Sequence, residues 1–250
     1  MSMKKCYSKA VLAVRAKHFF RFITVFCICA MTVGCIGSRT VSDADNDQVI
    51  TLGDSIFDLS GEIQATLEGY ARQTFRKYTK SAAELEGGFL ALSVYDQYDL
   101  AMSDNADIDT IVMNGGGNDI LIPAILFDPY NCRVQWWEWG HLSGKCKNYI
   151  DDLYVQSVNL LNDMYADGVN NVIYLGYYYT KGGVDNLEEA VDYGDQTLAF
   201  ACANTAVDCM FIDPRSAIND SDIIIDGIHP SRSGSLKLAN LIWPHLQPLL

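Results

Sequence analysis

The sequence predicts an α/β fold in which a parallel β-sheet is wrapped by helices, and three observations support this prediction. Short runs of apolar and β-branched residues end abruptly in glycine, aspartate or asparagine, which is the pattern of buried strands. Stretches with helical spacing of apolar residues follow these runs. The two patterns alternate along the chain, and this alternation favours parallel strands joined by helical crossovers.

The strands are predicted where apolar runs meet turn residues. The first run, Val49–Leu52, stops at Gly53, Asp54 and Ser55. The third run stops at a stretch of three glycines followed by Asn118 and Asp119. The five predicted strands are 49–52, 75–80, 109–114, 171–176 and 207–213.

The helices are predicted between and after these strands. The first has apolar residues at helical spacing, and the second is interrupted by the glycine pair 87–88. The last is expected to stop at Pro244, because proline cannot continue a helix. Residues 123–148 are irregular and aromatic. The predicted helices are 55–70, 82–100, 150–166, 184–204 and 231–243.

Composition and charge exclude some classes of partner. The chain has 250 residues, of which 49% are hydrophobic and 20% charged, enough for one domain with a full core. The formal net charge is −13, and without the six basic residues of the segment 1–34 it would be −19. A surface this acidic repels nucleic acid and anionic lipid head groups. We therefore expect no nucleic-acid partner, and membrane attachment only through an anchor.

The segment 1–34 is predicted to be a signal peptide of the bacterial lipoprotein type. A basic stretch up to Arg21 precedes 13 apolar residues, too few to span a membrane comfortably but typical of a signal-peptide core. The stretch from Thr32 to Cys35 resembles the lipoprotein processing box, although its first position is usually leucine. Cys35 is therefore the predicted lipidation site. Ordinary signal cleavage and an uncleaved anchor are the alternatives.

The polar, aperiodic residues 35–48 predict a flexible tether, which leaves 49–250 as the folded domain. Residue 36 is isoleucine rather than aspartate, and in the bacterial sorting pattern that this resembles, such a residue indicates the outer membrane. A periplasmic or secreted protein is the alternative location.

The cysteines of the predicted domain form an even set, which in an exported protein suggests disulfides. Three pairings are possible, and sequence proximity favours Cys132–Cys146 and Cys202–Cys209. A zinc site is disfavoured, because the sequence has no CxxC pair and no histidine at ligand spacing.

Polar residues from three distant stretches are predicted to meet at one site. Ser55 and Asn118 each follow a strand, at the sheet edge where open α/β proteins bind ligands. Pro230 favours an extended His229, and Asp226 stands close enough in sequence to fix the imidazole tautomer. Taken singly, each has another interpretation. Ser55, with Asp54, could cap a helix, Asn118 could belong to a turn or a phosphate loop, and His229 could be a structural histidine.

Together, the blocks Gly-Asp-Ser, Gly-x-Asn-Asp and Asp-x-x-His-Pro resemble the signature of the SGNH (GDSL) hydrolase superfamily, from about residue 49 onward. The resemblance implies a flavodoxin-like three-layer sandwich with a five-stranded parallel sheet. It implies Ser55 as nucleophile, His229 as general base and Asp226 as its orienting partner. The Ser55 N–H and the Asn118 side chain would be donors of the oxyanion hole.

One block departs from the family pattern. A glycine N–H, usually just after the second strand, supplies another oxyanion donor in this superfamily. Ala82 stands at the position where that glycine is expected. Its N–H is the predicted donor, and Gly87 and Gly88 are the alternatives.

These features predict an exported serine ester hydrolase that needs no metal and no organic cofactor. A carbohydrate O-acetyl esterase is the alternative enzyme, and a non-catalytic surface lipoprotein that retains the fold is the alternative class. The substrate would be a small-molecule, lipid or glycan ester. The aromatic residues between Cys132 and Cys146 could stack on sugars, line an acyl groove or form a flap; they are Trp136, Trp137 and Trp139, with Tyr130 just before them.

Overall fold

A computed structural model describes residues 39–88, 90–134 and 141–250. Five parallel strands form one sheet in the order β2-β1-β3-β4-β5. This is the flavodoxin-like order, so the predicted fold class is confirmed. The strands are β1 (Asn46–Leu52), β2 (Phe75–Lys77), β3 (Thr110–Met113), β4 (Asn171–Leu175) and β5 (Asp208–Ile212).

Seven α-helices connect and cover these strands in the described residues. None of them is long and apolar enough to cross a bilayer. Short 3-10 turns occupy Gly182–Leu187, Asp220–Asp222 and Gln247–Leu249. The α-helices are α1 (Ser55–Asp58), α2 (Glu62–Ala71), α3 (Val94–Asp104), α4 (Gly117–Leu126), α5 (Gly144–Ala166), α6 (Glu188–Ala203) and α7 (Arg232–Leu246).

The sheet is buried on both faces, which makes a three-layer sandwich. Ile50 and Leu52 pack with α3, α5 and α6, whereas Val49 of the same strand packs with α1, α2 and α7. Successive strand residues point to opposite faces. The nearly continuous apolar run of β1 therefore supplies both layers.

A third, smaller apolar cluster lies beside the main core. It contains Ala124 of α4, Ile150 of α5 and Ala190 of α6, together with Cys132 and Cys146. A disulfide joins these two cysteines, with an S–S distance of 2.04 Å. Cys202 and Cys209 are joined as well, so both pairs are those that sequence proximity favours. The three tryptophans that could stack on sugars, line an acyl groove or form a flap, at 136, 137 and 139, lie outside the described residues. The segment 1–34 and Cys35 lie outside them as well.

The end of the predicted tether is wrong, because ordered structure begins before residue 49. β1 starts at Asn46, and Val41 exchanges backbone hydrogen bonds with Lys77 at 2.8 and 2.9 Å. Hydropathy misses these residues because their side chains are polar or exposed while their backbone groups pair with β2. The folded domain therefore extends at least to Val41.

Several helix predictions also differ from the structure. Helix α4 lies in no predicted helix, and α5 begins at Gly144 rather than at 150, so the stretch 123–148 is not irregular throughout. The helix predicted at 55–70 is two helices, separated at Gly61, whose φ is 65°. The helix predicted at 82–100 begins only at Val94, where Ser93 and Asp96 form a capping box. The last helix continues past Pro244 to the fully buried Leu246, since a proline in the last turn removes only one backbone hydrogen bond.

Candidate active site

Ser55, His229 and Asp226 form a hydrogen-bonded chain, although 174 residues separate the first two. Nε2 of His229 lies 2.8 Å from Oγ of Ser55. Nδ1 of His229 lies 2.7 Å from Oδ2 of Asp226. The geometry allows the serine proton to pass to the imidazole while the carboxylate holds the ring.

Asp226 is held as a carboxylate by donors on both oxygens. Its Oδ1 accepts the backbone N–H groups of Ile228 and His229, at 2.9 and 3.0 Å. Burial acts to raise its pKa, but the hydrogen bonds from His229 and these N–H groups outweigh burial, and the pKa lies below its usual value. An ionised Asp226 keeps the proton on Nδ1 of His229, so that Nε2 can accept the proton of Ser55.

The loop before His229 is fixed against the segment that follows β4. The Lys181 N–H donates to the Gly227 carbonyl at 2.9 Å, and the Tyr178 hydroxyl donates to the Ile228 carbonyl at 2.7 Å. Gly227 has φ +80°, and a Cβ there would lie 2.2 Å from the Lys181 carbonyl oxygen. Only glycine fits this position, so Gly227 belongs to the structure that aims His229 at Ser55.

The turn after β1 presents Ser55. Asp54 caps α1, because its Oδ1 accepts the Ile56 N–H at 2.9 Å. Asn114 makes two hydrogen bonds with the same turn. Its amide nitrogen donates to Asp54 Oδ1 at 2.8 Å, and its oxygen accepts the Asp54 N–H at 3.0 Å. Asp54 is therefore the helix cap, while the Ser55 hydroxyl contacts His229.

Tyr177 and Gln97 complete the support of this turn. The Tyr177 hydroxyl donates to Asp54 Oδ2 at 2.7 Å. Burial nevertheless raises the pKa of Asp54 above its usual value, even though its donors favour the charged form. The Gln97 side chain accepts the Gly53 N–H at 2.8 Å and donates to the Gly53 carbonyl at 3.0 Å. The roles of Asn114 and Gln97 were not predicted from the sequence; only the place of Asn114 at the end of a predicted strand pointed to this edge of the sheet.

The segment that carries Ala82 is tied to α1. Asp58 Oδ2 accepts the N–H and the hydroxyl of Ser81, at 2.8 and 2.7 Å. Ala82 itself has φ +66°, in the left-handed region that favours glycine. This explains why a glycine is expected there. The alternatives, Gly87 and Gly88, are exposed.

Three potential oxyanion donors belong to this same neighbourhood. The Asn118 amide donates one hydrogen to the Ala83 carbonyl at 2.9 Å, which leaves its second N–H for a ligand. In the parts of the chain that the structure describes, the N–H groups of Ser55 and Ala82 donate to no protein acceptor. Asn118 thus lies beside the Ala82 segment, and Asp58 links that segment to the helix that begins with Ser55.

The glycine run after β3 serves packing. A Cβ on Gly117 would lie 2.4 Å from the Tyr177 ring, and Gly116 has φ +94°. These two glycines are needed for a close aromatic contact and a left-handed turn. Asp119, two residues after Gly117, accepts the Leu85 N–H at 2.9 Å, and burial raises its pKa to about 7. No cluster of three or more metal-ligating side chains occurs in the described residues.

Asp195 lies under Tyr177 and is also buried. It accepts the Tyr177 N–H at 2.9 Å, and burial raises its pKa to about 7. Arg215 opposes this shift only weakly, because its Nε stands 3.5 Å from Asp195 while it contacts Asp192 and Asp213 at 2.6 Å. Asp195 therefore supports the Tyr177 backbone rather than taking part in the hydrogen-bonded chain at Ser55.

Solved structures with this architecture include several esterases. TesA is 17% identical, with 81% of this chain and 99% of that chain covered and a TM-score of 0.56. The acetylxylan esterase Axe2 from Geobacillus stearothermophilus is 14% identical, with 78% and 92% covered and a TM-score of 0.55. Axe2 variants lacking one serine or one histidine are both described as catalytic mutants.

A protein assigned to the SGNH hydrolases, from Slackia heliotrinireducens, is 14% identical, with 79% of this chain and 97% of that chain covered and a TM-score of 0.50. No family model matches the sequence, and no curated protein matches it. At these identities the likeness establishes the fold: the chain has the fold of the SGNH (GDSL) hydrolases, the superfamily that its three sequence blocks predict.

Proposed function

We propose that the chain is a serine ester hydrolase in which Ser55 is the nucleophile, His229 the general base and Asp226 its orienting partner. The observation that carries this proposal is the chain of contacts at 2.8 and 2.7 Å that joins the three side chains. The fold and the catalytic mutants of Axe2 support it.

The reaction has two halves. Ser55 Oγ attacks the ester carbonyl carbon while His229 Nε2 takes its proton, and the tetrahedral intermediate then expels the alcohol, which receives that proton. Water next attacks the acyl-enzyme, giving one proton to His229 and releasing the acid as Ser55 is reprotonated. Asp226 stabilises the imidazolium in both halves.

The negative charge that develops on the carbonyl oxygen needs donors. The N–H groups of Ser55 and Ala82 and the second amide hydrogen of Asn118 are proposed for this role. Donors aimed at a developing oxyanion contribute about 3 to 4 kcal/mol each in other serine hydrolases. Asp58 acts on this site by positioning, since it holds Ser81 next to Ala82.

The first expected result is turnover of simple esters. The purified full-length protein should hydrolyse nitrophenyl esters from a panel of graded acyl length, and a fluorophosphonate should add to Ser55. Release of nitrophenol and peptide mass spectrometry measure the two effects. Absence of both would favour the non-catalytic alternative. Hydrolysis of the acetyl ester alone would favour a carbohydrate O-acetyl esterase, a candidate that the acetylxylan esterase neighbours suggest.

We also propose that the protein is exported and anchored through Cys35. The two disulfides are compatible with an oxidising compartment. The acidic folded domain repels an anionic membrane, so attachment of the processed protein should depend on the acyl chains of Cys35. In bacteria, wild-type precursor should fractionate with the outer membrane, and Cys35→Ala should fractionate as soluble protein. Identical fractionation of the two would contradict lipidation.

A further inference from the structure

An apolar pocket extends from Ser55 into the protein, between α4, α5 and α6. We call it the inner pocket. Ser55, Gly117 and Asn118 line the end where the proposed chemistry takes place. The walls farther from Ser55 consist mainly of aliphatic side chains of the three helices, among them Ile120, Leu121, Ile150, Leu153, Ala190 and Leu198.

The polar groups of this wall are mostly turned into the protein. Asp195 accepts the Tyr177 N–H through one carboxylate oxygen, and the other faces Arg215 at 3.5 Å. A sugar would need donors and acceptors on the wall, whereas an alkyl chain needs only apolar contact. Four of the hydroxyl side chains donate to protein acceptors at 2.5 to 2.7 Å: Tyr177 to Asp54, Tyr178 to Ile228, Thr180 to Val184 and Thr197 to Tyr193.

The position of the base decides which half of an ester lies in the inner pocket. The leaving alcohol must take its proton from His229 Nε2. Asn118, the proposed donor to the carbonyl oxygen, lines the inner pocket, whereas His229 contacts Ser55 from the loop that follows β5. The alcohol therefore departs toward His229, and the acyl group that stays on Ser55 extends into the inner pocket.

We propose that the inner pocket binds the acyl chain of the substrate, so that the enzyme acts on esters of medium-chain fatty acids in preference to acetyl esters. This proposal rests on the proposed function, because it assigns a substrate class to the same site. Each methylene of such a chain that leaves water for the pocket contributes about 0.8 kcal/mol. That binding energy is available to a fatty acyl ester and absent for an acetyl ester.

Gly194 sets the width of the inner pocket. Ala190, Gly194 and Leu198 recur every four residues and so form one stripe of α6, about 12 Å long at 1.5 Å per residue. Gly194 is in the middle of this stripe, and a Cβ there would meet Ile120 Cδ1 of α4 at 3.8 Å, an ordinary contact. Alanine therefore fits, whereas a leucine would fill the space between α6 and α4.

Gly194→Leu tests the proposal on the full-length protein. Wild-type protein should have a higher kcat/KM for nitrophenyl octanoate than for nitrophenyl acetate. Gly194→Leu should lower the ratio of the octanoate value to the acetate value by roughly 10- to 200-fold, the range for misfit in an apolar pocket. Gly194→Ala should resemble wild type. Gly69→Leu is the matched control, because Gly69 is an exposed glycine in the last turn of α2 with open space around it; it should change neither value.

The outcomes separate this proposal from the proposed function. A wild-type protein that hydrolyses acetate but not octanoate is still an esterase, and it overturns the acyl assignment. Equal octanoate-to-acetate ratios in Gly194→Leu and wild type overturn it as well, as does a selective effect of that variant on octyl acetate, which would place the alcohol in the pocket. A protein that cleaves no ester and leaves Ser55 unlabelled fails at the proposed function itself.

A second measurement does not depend on the folding of any variant. The adducts of alkyl fluorophosphonates mimic the tetrahedral intermediate, since the tetrahedral phosphorus bonds to the serine oxygen as fluoride leaves and His229 takes the serine proton. An octyl fluorophosphonate should label Ser55 of the wild-type protein at least about 10-fold faster than a methyl one, if its chain enters the inner pocket. Equal labelling rates, measured by mass spectrometry of the Ser55 peptide, would overturn the proposal.

Discussion

Replacement of Ser55 by alanine is expected to abolish measurable ester hydrolysis, with a loss on the order of 10⁶-fold in kcat. The loss follows because no acyl-enzyme can form without the hydroxyl that lies 2.8 Å from His229. Steady-state hydrolysis of a nitrophenyl ester measures this loss of kcat. Fluorophosphonate labelling of Ser55 gives the concentration of active sites in the wild-type protein.

The fold of that variant should be unchanged. Asp54, not Ser55, caps α1, so removal of the Ser55 hydroxyl leaves the helix cap and the turn intact. We expect a change in the free energy of unfolding within about 0.5 kcal/mol. Ser103→Ala, an exposed substitution in α3, is a matched control that should keep full activity. Substantial activity in Ser55→Ala, beside an unaffected control, would refute the nucleophile assignment.

The fold and the three positions of the proposed triad could be read from the sequence because each depends on local sequence. The apolar run of β1 ends at the glycine that turns toward Ser55, and the Asp-x-x-His-Pro block places carboxylate and imidazole within one loop. The first two blocks follow β1 and β3, at the sheet edge where this class of fold binds ligands, and the order of all three blocks indicates a single site. The distance between Ser55 and His229 confirms that the two blocks meet.

The support around these residues was not predictable, because it depends on pairs that are far apart in sequence. Gln97 contacts Gly53 across 44 residues, and Asn114 contacts Asp54 across 60. Neither side chain stands out in a helix or strand pattern, since a buried amide resembles an exposed one until its partner is known. A Cβ on Gly53 would lie 2.0 Å from Asn114 Oδ1. This close contact explains why residue 53 is glycine, and the sequence alone does not reveal it.

Backbone conformation was the other source of difference. The helix predicted from residue 82 is absent there because Ala82 is in the left-handed region, which apolar spacing does not reveal. The same conformation accounts for the glycine expected at this position. The helical spacing of apolar residues therefore predicted a helix from residue 82, where the structure has a loop, and α3 begins only at Val94.

Replacement of His229 by alanine is expected to reduce kcat about as severely as Ser55→Ala, since the nucleophile loses its base and the alcohol loses its proton donor. Hydrolysis of the same nitrophenyl ester measures the effect. His141→Ala is the matched control, because His141 is exposed. An unchanged rate in His229→Ala would mean that another base operates and that the third block has been misassigned.

Asp226→Asn should be less damaging than His229→Ala, at about 10⁴-fold in kcat, and the structure gives the reason. The asparagine side-chain oxygen can still accept the hydrogen bonds that the Ile228 and His229 N–H groups now donate to Oδ1, so the loop stays in place. The amide nitrogen then faces His229 Nδ1 as a donor, which puts the remaining ring proton on Nε2, toward Ser55, where a base is required. The defect is therefore one of tautomer and not of folding. A thermal midpoint of unfolding close to that of wild type, together with the large loss of kcat, would distinguish a tautomer defect from collapse of the loop. A marked fall in the thermal midpoint alongside the loss of kcat would contradict an orienting role for Asp226.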